Sequence, residues 1–243
     1  MTPKIRIDRL LVERGLFDSR AKAQAAIEAG LVTAGDRLVQ KSSDEVAVDS
    51  DISASAAHPY VSRGGVKLSA ALDHFGFDPK GRVCVDVGTS TGGFTQVLLE
   101  RGARRVYAID VGHSQLHDSL RARREIVSFE DTDIRTFSPS RLRETPDLMT
   151  VDVSFISLKL VLPAALKLMA HRAQFVALIK PQFEAGPALV KRGIVRDASV
   201  HEAVCADIAA FVTSLNWRVL GVIPSPIAGG DGNAEFLLGA LRD

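Results

Sequence analysis

Four charged residues stand beside apolar runs of the sequence, where an unpaired charge is costly to bury. They are Lys67, Asp152, Lys180 and Glu235. A carboxylate beside an amine can orient a hydroxyl group and accept its proton, so these residue types suit general base chemistry. Separate structural ion pairs at strand ends are the alternative, and the residues taken singly do not decide between the two interpretations.

A glycine-rich turn lies between Lys67 and Asp152 in the sequence and consists of Asp86-Val87-Gly88-Thr89-Ser90-Thr91-Gly92-Gly93-Phe94-Thr95. Glycines let a ligand approach the backbone, and the helix that follows offers free N–H groups at its N-terminus. A nicotinamide cofactor usually requires G-x-G-x-x-G, and this spacing departs from that pattern. An acid before the first glycine suits a cationic amino group better than a pyrophosphate.

A second acid, Asp110, ends the next predicted strand, where doubly wound sheets hold a ribose diol. Amino group, carboxylate and ribose together describe S-adenosylmethionine, and Asp133 is then a candidate contact for the adenine. NAD is the less favoured alternative, and we expect no metal. The predicted cofactor contacts are Asp86, Gly88, Thr89, Ser90, Gly92, Gly93, Phe94, Asp110 and Asp133.

The elements that must position these residues follow from the alternation of apolar and polar stretches. Strands are predicted at 83–87, 106–109, 148–153, 175–179, 218–223 and 236–241. Helices are predicted at about 65–75, from the glycine-rich turn to about Arg101, at about 158–169 and at about 198–214. This order is typical of a mostly parallel, doubly wound α/β sheet, which binds ligands beyond the carboxyl ends of its strands. Asp152 and Lys180 should therefore converge near the cofactor. Glu235 can join them if its strand runs antiparallel at the edge of the sheet.

The sequence pattern of residues 1–57 differs from that of the rest of the chain and predicts a small α+β domain. Ile7, Leu10, Leu11 and Leu16 have the spacing of one helix face, and Ser19 can cap a second helix that ends at Gly30. A hairpin turning at Gly35 follows, and then a short strand around Val46 and Val48. Residues 58–63 form the predicted linker, because Pro59 favours extended geometry before it, and residues 64–243 form the second domain.

Basic residues outnumber acidic residues in some segments but hardly at all over the whole chain. Lys and Arg number 30 against 29 Asp and Glu, a net charge of +1, so any contact with nucleic acid must use local patches. An ordinary solvated surface is the alternative for each patch. The predicted RNA contacts are Arg6, Arg9, Arg20, Lys22, Arg37, Lys41, Arg63, Lys191 and Arg196.

Composition excludes several classes of protein. The chain has 243 residues, of which 46% are hydrophobic, enough for a sizeable core and too many for a disordered chain. Its two cysteines are too few for a disulfide framework and fit a reducing compartment. Neither a signal-peptide core nor an apolar run of about 20 residues is found. We therefore expect a cytoplasmic globular protein.

Two sets of motifs carry a resemblance to known families. The pattern Ile7-Asp8-Arg9-Leu10-Leu11, Ser19-Arg20 and Gly30-Leu31-Val32 resembles the RNA-binding domain named after ribosomal protein S4. The order Lys67, Asp152, Lys180, Glu235 resembles the catalytic tetrad of FtsJ-like ribose 2′-O-methyltransferases. With Tyr60-Val61-Ser62-Arg63-Gly64-Gly65, Gly193-Ile194-Val195-Arg196-Asp197 and Ser225-Pro226-Ile227, the chain from about Ile5 to Leu241 is similar to the TlyA family, also labelled haemolysins.

This resemblance implies S-adenosylmethionine-dependent 2′-O-methylation of cytidine in ribosomal RNA of the small subunit, the large subunit or both. In our hypothesis Lys180 is the general base, Asp152 orients it, and Lys67 and Glu235 fix the ribose. Alternatives are a small-molecule O-methyltransferase, a ribosome-assembly factor with a vestigial cofactor site, and a membrane-lytic haemolysin, the last disfavoured. The oligomeric state and the modified nucleotide are left open.

Overall fold

Two stretches of the chain fold separately, because each buries its own set of apolar side chains. A computed structural model of the protein describes residues 2–243, except for the side chain of Asp231. The first compact unit ends at Pro59, and the second spans Tyr60–Asp243.

The first unit combines two short helices with two small antiparallel sheets. Its elements are β1 (Lys4–Arg6), α1 (Ile7–Glu13), α2 (Arg20–Glu28), β2 (Val32–Ala34), β3 (Arg37–Leu38), β4 (Glu45–Ala47) and β5 (Ile52–Ala54). Strand β1 pairs with β4, and β2 lies between β3 and β5. The core contains Ile7, Leu10 and Leu11 from α1, together with Ala26 and Ile27 from α2.

Local sequence signals predicted most of this unit. The Ser19 hydroxyl accepts the Lys22 N–H at 3.4 Å and caps α2, and a hairpin turns at Gly35, as expected. The expectation that Leu16 shares the buried face of α1 is wrong, since α1 ends at Glu13 and Leu16 is 44% exposed. Strands β1 and β5 were not predicted, because three residues are too few to show an alternating pattern.

The second unit is a seven-stranded sheet of order β11-β12-β10-β9-β6-β7-β8. Its strands are β6 (Val83–Val87), β7 (Arg105–Ile109), β8 (Ile126–Phe129), β9 (Leu148–Val151), β10 (Ala173–Ile179), β11 (Arg218–Pro224) and β12 (Phe236–Arg242). Strands β6 to β10 are mutually parallel, β12 runs antiparallel to its neighbours β10 and β11, and β11 therefore has the same direction as β6 to β10. The doubly wound α/β class is confirmed.

Helices cover both faces of this sheet. They are α3 (Gly64–Phe75), α4 (Gly93–Glu100), α5 (Asp118–Arg121), α6 (Leu158–Ala165), α7 (Pro181–Glu184) and α8 (Ala198–Ser214). Side chains of α3 and α4, such as Leu68 and Leu98, share one apolar cluster with the sheet. Side chains of α6 and α8, such as Leu162 and Ile208, share the other. The loops at the carboxyl ends of the parallel strands remain uncovered by these layers.

The second unit differs from the prediction in several elements. Strand β8 and the short helices α5 and α7 were missed, and the predicted helix at 158–169 breaks into α6 and a 3₁₀ turn at Leu166–Leu168. The predicted strand 148–153 ends at Val151. Strand β12 is antiparallel, as Glu235 required, but it lies between β10 and β11 rather than at the edge.

Candidate active site

The strands bring three of the four charged residues to one end of the sheet, and Lys67 reaches them from α3. Asp152 follows β9 directly, and Lys180 follows β10. Glu235 directly precedes β12, and the register pairs Ile179 with Phe236, so Lys180 and Glu235 occupy the next positions on neighbouring strands. The antiparallel direction of β12 is therefore what brings Glu235 to this end.

The four residues form two ion pairs. Lys67, on the buried face of α3, donates to Glu235, and these residues are only 8% and 5% exposed. We call these two residues the buried pair. Lys180 Nζ lies 2.6 Å from Asp152 Oδ1, with the side chains 12% and 22% exposed. These two residues are the rim pair, since Asp152 lines the cavity described below.

The loop after β9 supplies further residues to the rim pair. Lys180 Nζ also donates to Ser154 Oγ at 2.8 Å. Phe155 next to it is 91% exposed at a φ of +63°, and its ring centroid lies 5.0 Å from that of Phe183. Sequence reasoning missed both Ser154 and Phe155, because Val151–Ile156 has the apolar character of a strand continuing inward. An exposed aromatic ring within it has no local signal.

A cavity of about 540 Å³ opens at the carboxyl ends of β6 and β7, within the range typical of cofactor sites. Several predicted cofactor residues line it, namely Gly88, Ser90, Asp110 and Asp133. Apolar side chains, including Val111 and Ile134, form much of the rest of its wall. This combination of polar anchors and apolar wall suits a nucleoside.

Asp110 is held rigidly at this cavity. Its Oδ2 accepts the Ser90 N–H and its Oδ1 accepts the Gly112 N–H, both at 2.7 Å. Each carboxylate oxygen has a second lone pair, so the group can still accept two hydroxyl donors of a diol. The residues present therefore fit the ribose that the sequence predicted at this position.

Gly88, in the glycine-rich turn, and Asp133, after β8, both line the cavity. A Cβ on Gly88, whose φ is +82°, would lie 2.2 Å from the Asp152 carbonyl oxygen. Only glycine therefore lets the turn pass this close to the end of β9. Asp133 accepts hydrogen bonds from the backbone and guanidinium of Arg135, whose side chain holds the pKa of Asp133 below its usual range.

Asp86 lies behind the cavity wall rather than on it. It is fully buried, and its carboxylate accepts hydrogen bonds from Thr95 Oγ1 at 2.7 Å and Thr150 Oγ1 at 2.8 Å. Burial without a cation raises its pKa to about 7. The sequence predicted that this acid contacts the amino group of the cofactor; in the structure its carboxylate links β6 to α4 and β9 through Thr95 and Thr150.

The remaining turn residues also face inward. Thr89 and Phe94 are 7% and 3% exposed and do not line the cavity. A Cβ on Gly92 would lie 2.4 Å from Leu120 Cδ1, and one on Gly93 would lie 2.2 Å from Ser62 Oγ. These glycines allow the start of α4 to pack closely against neighbouring side chains. From the sequence alone, this packing role looks the same as contact with a ligand.

The predicted RNA contacts of the first unit include two arginines anchored on one buried acid. Asp8 is fully buried and accepts from Arg6 at 3.1 Å, from Arg20 at 2.7 Å and from Gln24 at 3.1 Å. Arg6 chiefly holds the pKa of Asp8 far below its usual range, with Arg20 and Gln24 assisting. Both arginine side chains remain about half exposed, so their outer N–H groups can still reach an anion.

The other predicted RNA contacts are surface residues. Arg9 pairs with Glu13 at 3.4 Å and Lys22 with Asp18 at 2.7 Å. The remaining ones lie exposed on their respective units, at Arg37, Lys41, Arg63, Lys191 and Arg196.

Two kinds of feature are absent from the part of the chain that the structure describes. Between residues 2 and 243, no helix combines the length and hydropathy that crossing a membrane requires. In the same part of the chain, no three His, Cys, Asp or Glu side chains are grouped so that they could hold a metal ion.

Comparison with known proteins supports the same division of the chain. Residues 60–242 match the FtsJ-like methyltransferase family, and residues 5–52 match the S4 domain. The chain is 44% identical to YqxC of Bacillus subtilis, covering 97% of this chain and 85% of that one. It is 39% identical to the 16S/23S rRNA (cytidine-2'-O)-methyltransferase TlyA of Mycobacterium tuberculosis, covering 98% and 90%. A solved structure from Streptococcus thermophilus superposes with a TM-score of 0.79 at 40% identity, covering 100% of this chain and 90% of that one.

Proposed function

Because the chain belongs to the FtsJ-like methyltransferase family, and with its S4 domain to the TlyA-type proteins, we propose that it methylates the ribose 2′-hydroxyl of a cytidine in ribosomal RNA. S-adenosylmethionine is the methyl donor. The observation that carries the proposal is the rim pair, Lys180 and Asp152, at the border of a nucleoside-sized cavity. This arrangement puts a proton acceptor where a substrate hydroxyl can enter.

The cavity residues hold the cofactor. Asp110 would accept the ribose hydroxyls and Asp133 would contact the adenine, while Gly88 and Ser90 also line the cavity. The cofactor supplies a methyl group that is activated by a positively charged sulfur. The protein's task is to align the nucleophile with that methyl group and to receive a proton. Alignment alone can contribute about 7–11 kcal/mol.

Lys180 receives the proton in this proposal. As the 2′-oxygen forms its bond to the methyl carbon, the bond between that carbon and sulfur breaks, and the hydroxyl proton passes to the lone pair of Lys180 Nζ in its amine form. Asp152, which lines the cavity, holds Nζ beside it through the 2.6 Å contact. General base catalysis of this kind contributes roughly 10²- to 10⁴-fold to a rate.

The buried pair has a supporting role. Lys67 and Glu235 neutralise each other beside the rim pair and fix the end of β12 next to Lys180. Glu235 also packs directly on Gly229, where a Cβ would lie 2.1 Å from its Oε1. We assign this pair the task of shaping the ribose pocket and balancing its charge.

RNA is the substrate class that both units favour. The 2′-hydroxyl distinguishes RNA from DNA, and enzymes that act on it can take an unpaired nucleotide out of the stack. The exposed ring of Phe155 offers a surface on which an unpaired base can stack. The S4 domain with its anchored arginines, Arg6 and Arg20, binds the surrounding folded RNA.

The test is transfer of labelled methyl from S-adenosylmethionine to purified small subunits, large subunits and free rRNA, followed by mass spectrometry of the digest. We expect a 2′-O-methylcytidine mark in RNA. The matched control is an RNA fragment carrying 2′-deoxycytidine at the mapped position, which should accept no label. Label on a base, or label that survives in the deoxy fragment, would overturn the proposal. Cofactor binding without transfer to any RNA would favour an assembly factor instead.

A further inference from the structure

The hydroxyl of Ser154 is the second partner of the Lys180 amine. Nζ donates to Ser154 Oγ at 2.8 Å and contacts Asp152 Oδ1 at 2.6 Å. A neutral amine carries two N–H groups and one lone pair. Ser154 Oγ accepts one N–H group and the Asp152 carboxylate attracts the amine from 2.6 Å, so these two contacts limit the directions in which the lone pair can meet a substrate hydroxyl.

Both acceptors border the cavity. Asp152 and Ser154 line it, while the Lys180 side chain is only 12% exposed. The amine contacts both of these lining residues and so lies at the border of the cavity. One acceptor alone would leave Nζ free to rotate about the remaining hydrogen bond, and the lone pair would have no fixed direction.

The loop that carries Ser154 is fixed at its far end. Glu184 accepts from Ser157 Oγ at 2.5 Å and from the Leu158 N–H at 2.8 Å. Glu184 is the last residue of α7, which begins directly after Lys180. The same short segment thus holds both the lysine and the loop that directs it.

Backbone strain within the loop supports a specific role. Phe155 holds a φ of +63°, which is unfavourable for a residue with a bulky side chain. Such strain persists where surrounding contacts determine the conformation, and here it lies directly after Ser154. The conformation turns Ser154 toward Lys180 and leaves the next side chain exposed.

We propose that Ser154 is a positioning residue for methyl transfer, which acts by holding the lone pair of Lys180 toward the substrate hydroxyl. The proposal rests on the proposed function, in which Lys180 accepts the proton. It adds a residue outside the Lys-Asp-Lys-Glu tetrad, one that works through Lys180 without contacting the cofactor.

The test compares Ser154→Ala and Ser154→Thr, with Ser214→Ala as a matched control. Ser214 is an exposed serine at the end of α8. We expect Ser154→Ala to lower kcat about 10- to 100-fold, the effect of a misplaced catalytic group, with KM for RNA and the affinity for S-adenosylmethionine unchanged. Ser154→Thr keeps the hydroxyl and should recover most of the rate. In the free protein, the NMR order parameter of the Lys180 ε-methylene should fall in Ser154→Ala.

Three results would overturn the proposal. The first is a wild-type kcat in Ser154→Ala, and the second is a change in Ser154→Ala that is confined to KM. The third is a Ser154→Thr variant that is as slow as Ser154→Ala although it keeps a hydroxyl. Lys180→Ala is measured alongside to separate a failure of the role of Ser154 from a failure of the general base assignment. If Lys180→Ala is inactive and Ser154→Ala is fully active, the role of Ser154 alone fails. If Lys180→Ala turns over normally, the general base assignment fails and the role of Ser154 fails with it.

Discussion

The buried pair and the rim pair place the same chemical groups in different surroundings. Glu235 is 3% exposed at its side chain and Asp152 is 22% exposed, although each contacts a lysine at the same end of the sheet. A buried pair that loses one partner leaves a charge without compensation. The rim pair lies at the border of the cavity, where a ligand can reach Asp152. The two pairs contain the same residue types and differ mainly in the exposure of the acid, and this difference is why we propose a supporting role for one pair and proton transfer for the other.

Glu235→Ala should give the largest effect. It leaves the Lys67 ammonium buried without a carboxylate, which costs roughly 3–5 kcal/mol of unfolding free energy, and it also removes activity. Denaturant unfolding measures the loss. The control is Asp207→Ala, which breaks the exposed pair between Asp207 and Lys159 and should cost less than about 1 kcal/mol. Equal losses in the two variants would contradict the distinction.

Asp152→Asn should separate activity from stability. The amide keeps the shape of the side chain but removes the charge that holds Lys180, so kcat should fall about 100- to 1,000-fold. The unfolding free energy should change by less than about 1 kcal/mol, because the site is partly solvated. Rate and unfolding measurements on one preparation test both statements. A stability loss as large as that of Glu235→Ala would mean that the rim pair is structural as well.

Asp86→Asn should change how stability depends on pH. The folded-state pKa of Asp86 is about 7, above its ordinary value of 3.8, because burial disfavours the charged form. The folded protein therefore binds this proton more tightly than the unfolded chain, so the contribution to stability falls as pH rises from about 4 to about 7. Between pH 5 and pH 8 the loss amounts to about 3 kcal/mol. Unfolding at both pH values should show this loss in the wild type relative to Asp86→Asn, and parallel pH curves would refute it.

Arg20→Ala should give the smallest change in stability. Asp8 is as buried as Asp86, but it keeps Arg6 and Gln24 after this substitution, and the Arg20 side chain is 54% exposed. We expect a loss of less than about 1 kcal/mol together with weaker and less salt-dependent RNA binding. Binding titrations at two salt concentrations measure the second effect. Gln24→Ala is the control, since it removes a contact to Asp8 without removing a charge. A loss of several kcal/mol would mean that Asp8 depends on Arg20 as Lys67 depends on Glu235.

Local sequence signals predicted which helices and strands form better than they predicted how these elements pair and pack with one another. The cap at Ser19, the strand and turn at Asp86–Gly88, and helix α8 depend on neighbouring residues, and the structure contains them as predicted. The place of β12 inside the sheet depends on β11, which is a long-range pairing without a local signal. The inward direction of Asp86 depends on Thr95 and Thr150, which come from two other elements.

The candidate site shows the same limit. The four charged residues and Asp110 were recognisable from their places at strand ends and from the resemblance to a known family. Ser154 and Phe155 were not, because their importance depends on a φ of +63° and on the distance from Ser154 to Lys180. Loop conformation determines both, and the apolar character of the segment conceals it.

The most direct measurement is the single-turnover rate of methyl transfer by Lys180→Ala on the ribosomal substrate, with cofactor affinity and unfolding free energy determined on the same protein. Lys159→Ala, at an exposed surface pair, is the matched control. The account predicts a rate roughly 10²- to 10⁴-fold below that of the control, with affinity and stability retained. A rate near that of the wild type would contradict the assignment of Lys180 as the group that takes the proton.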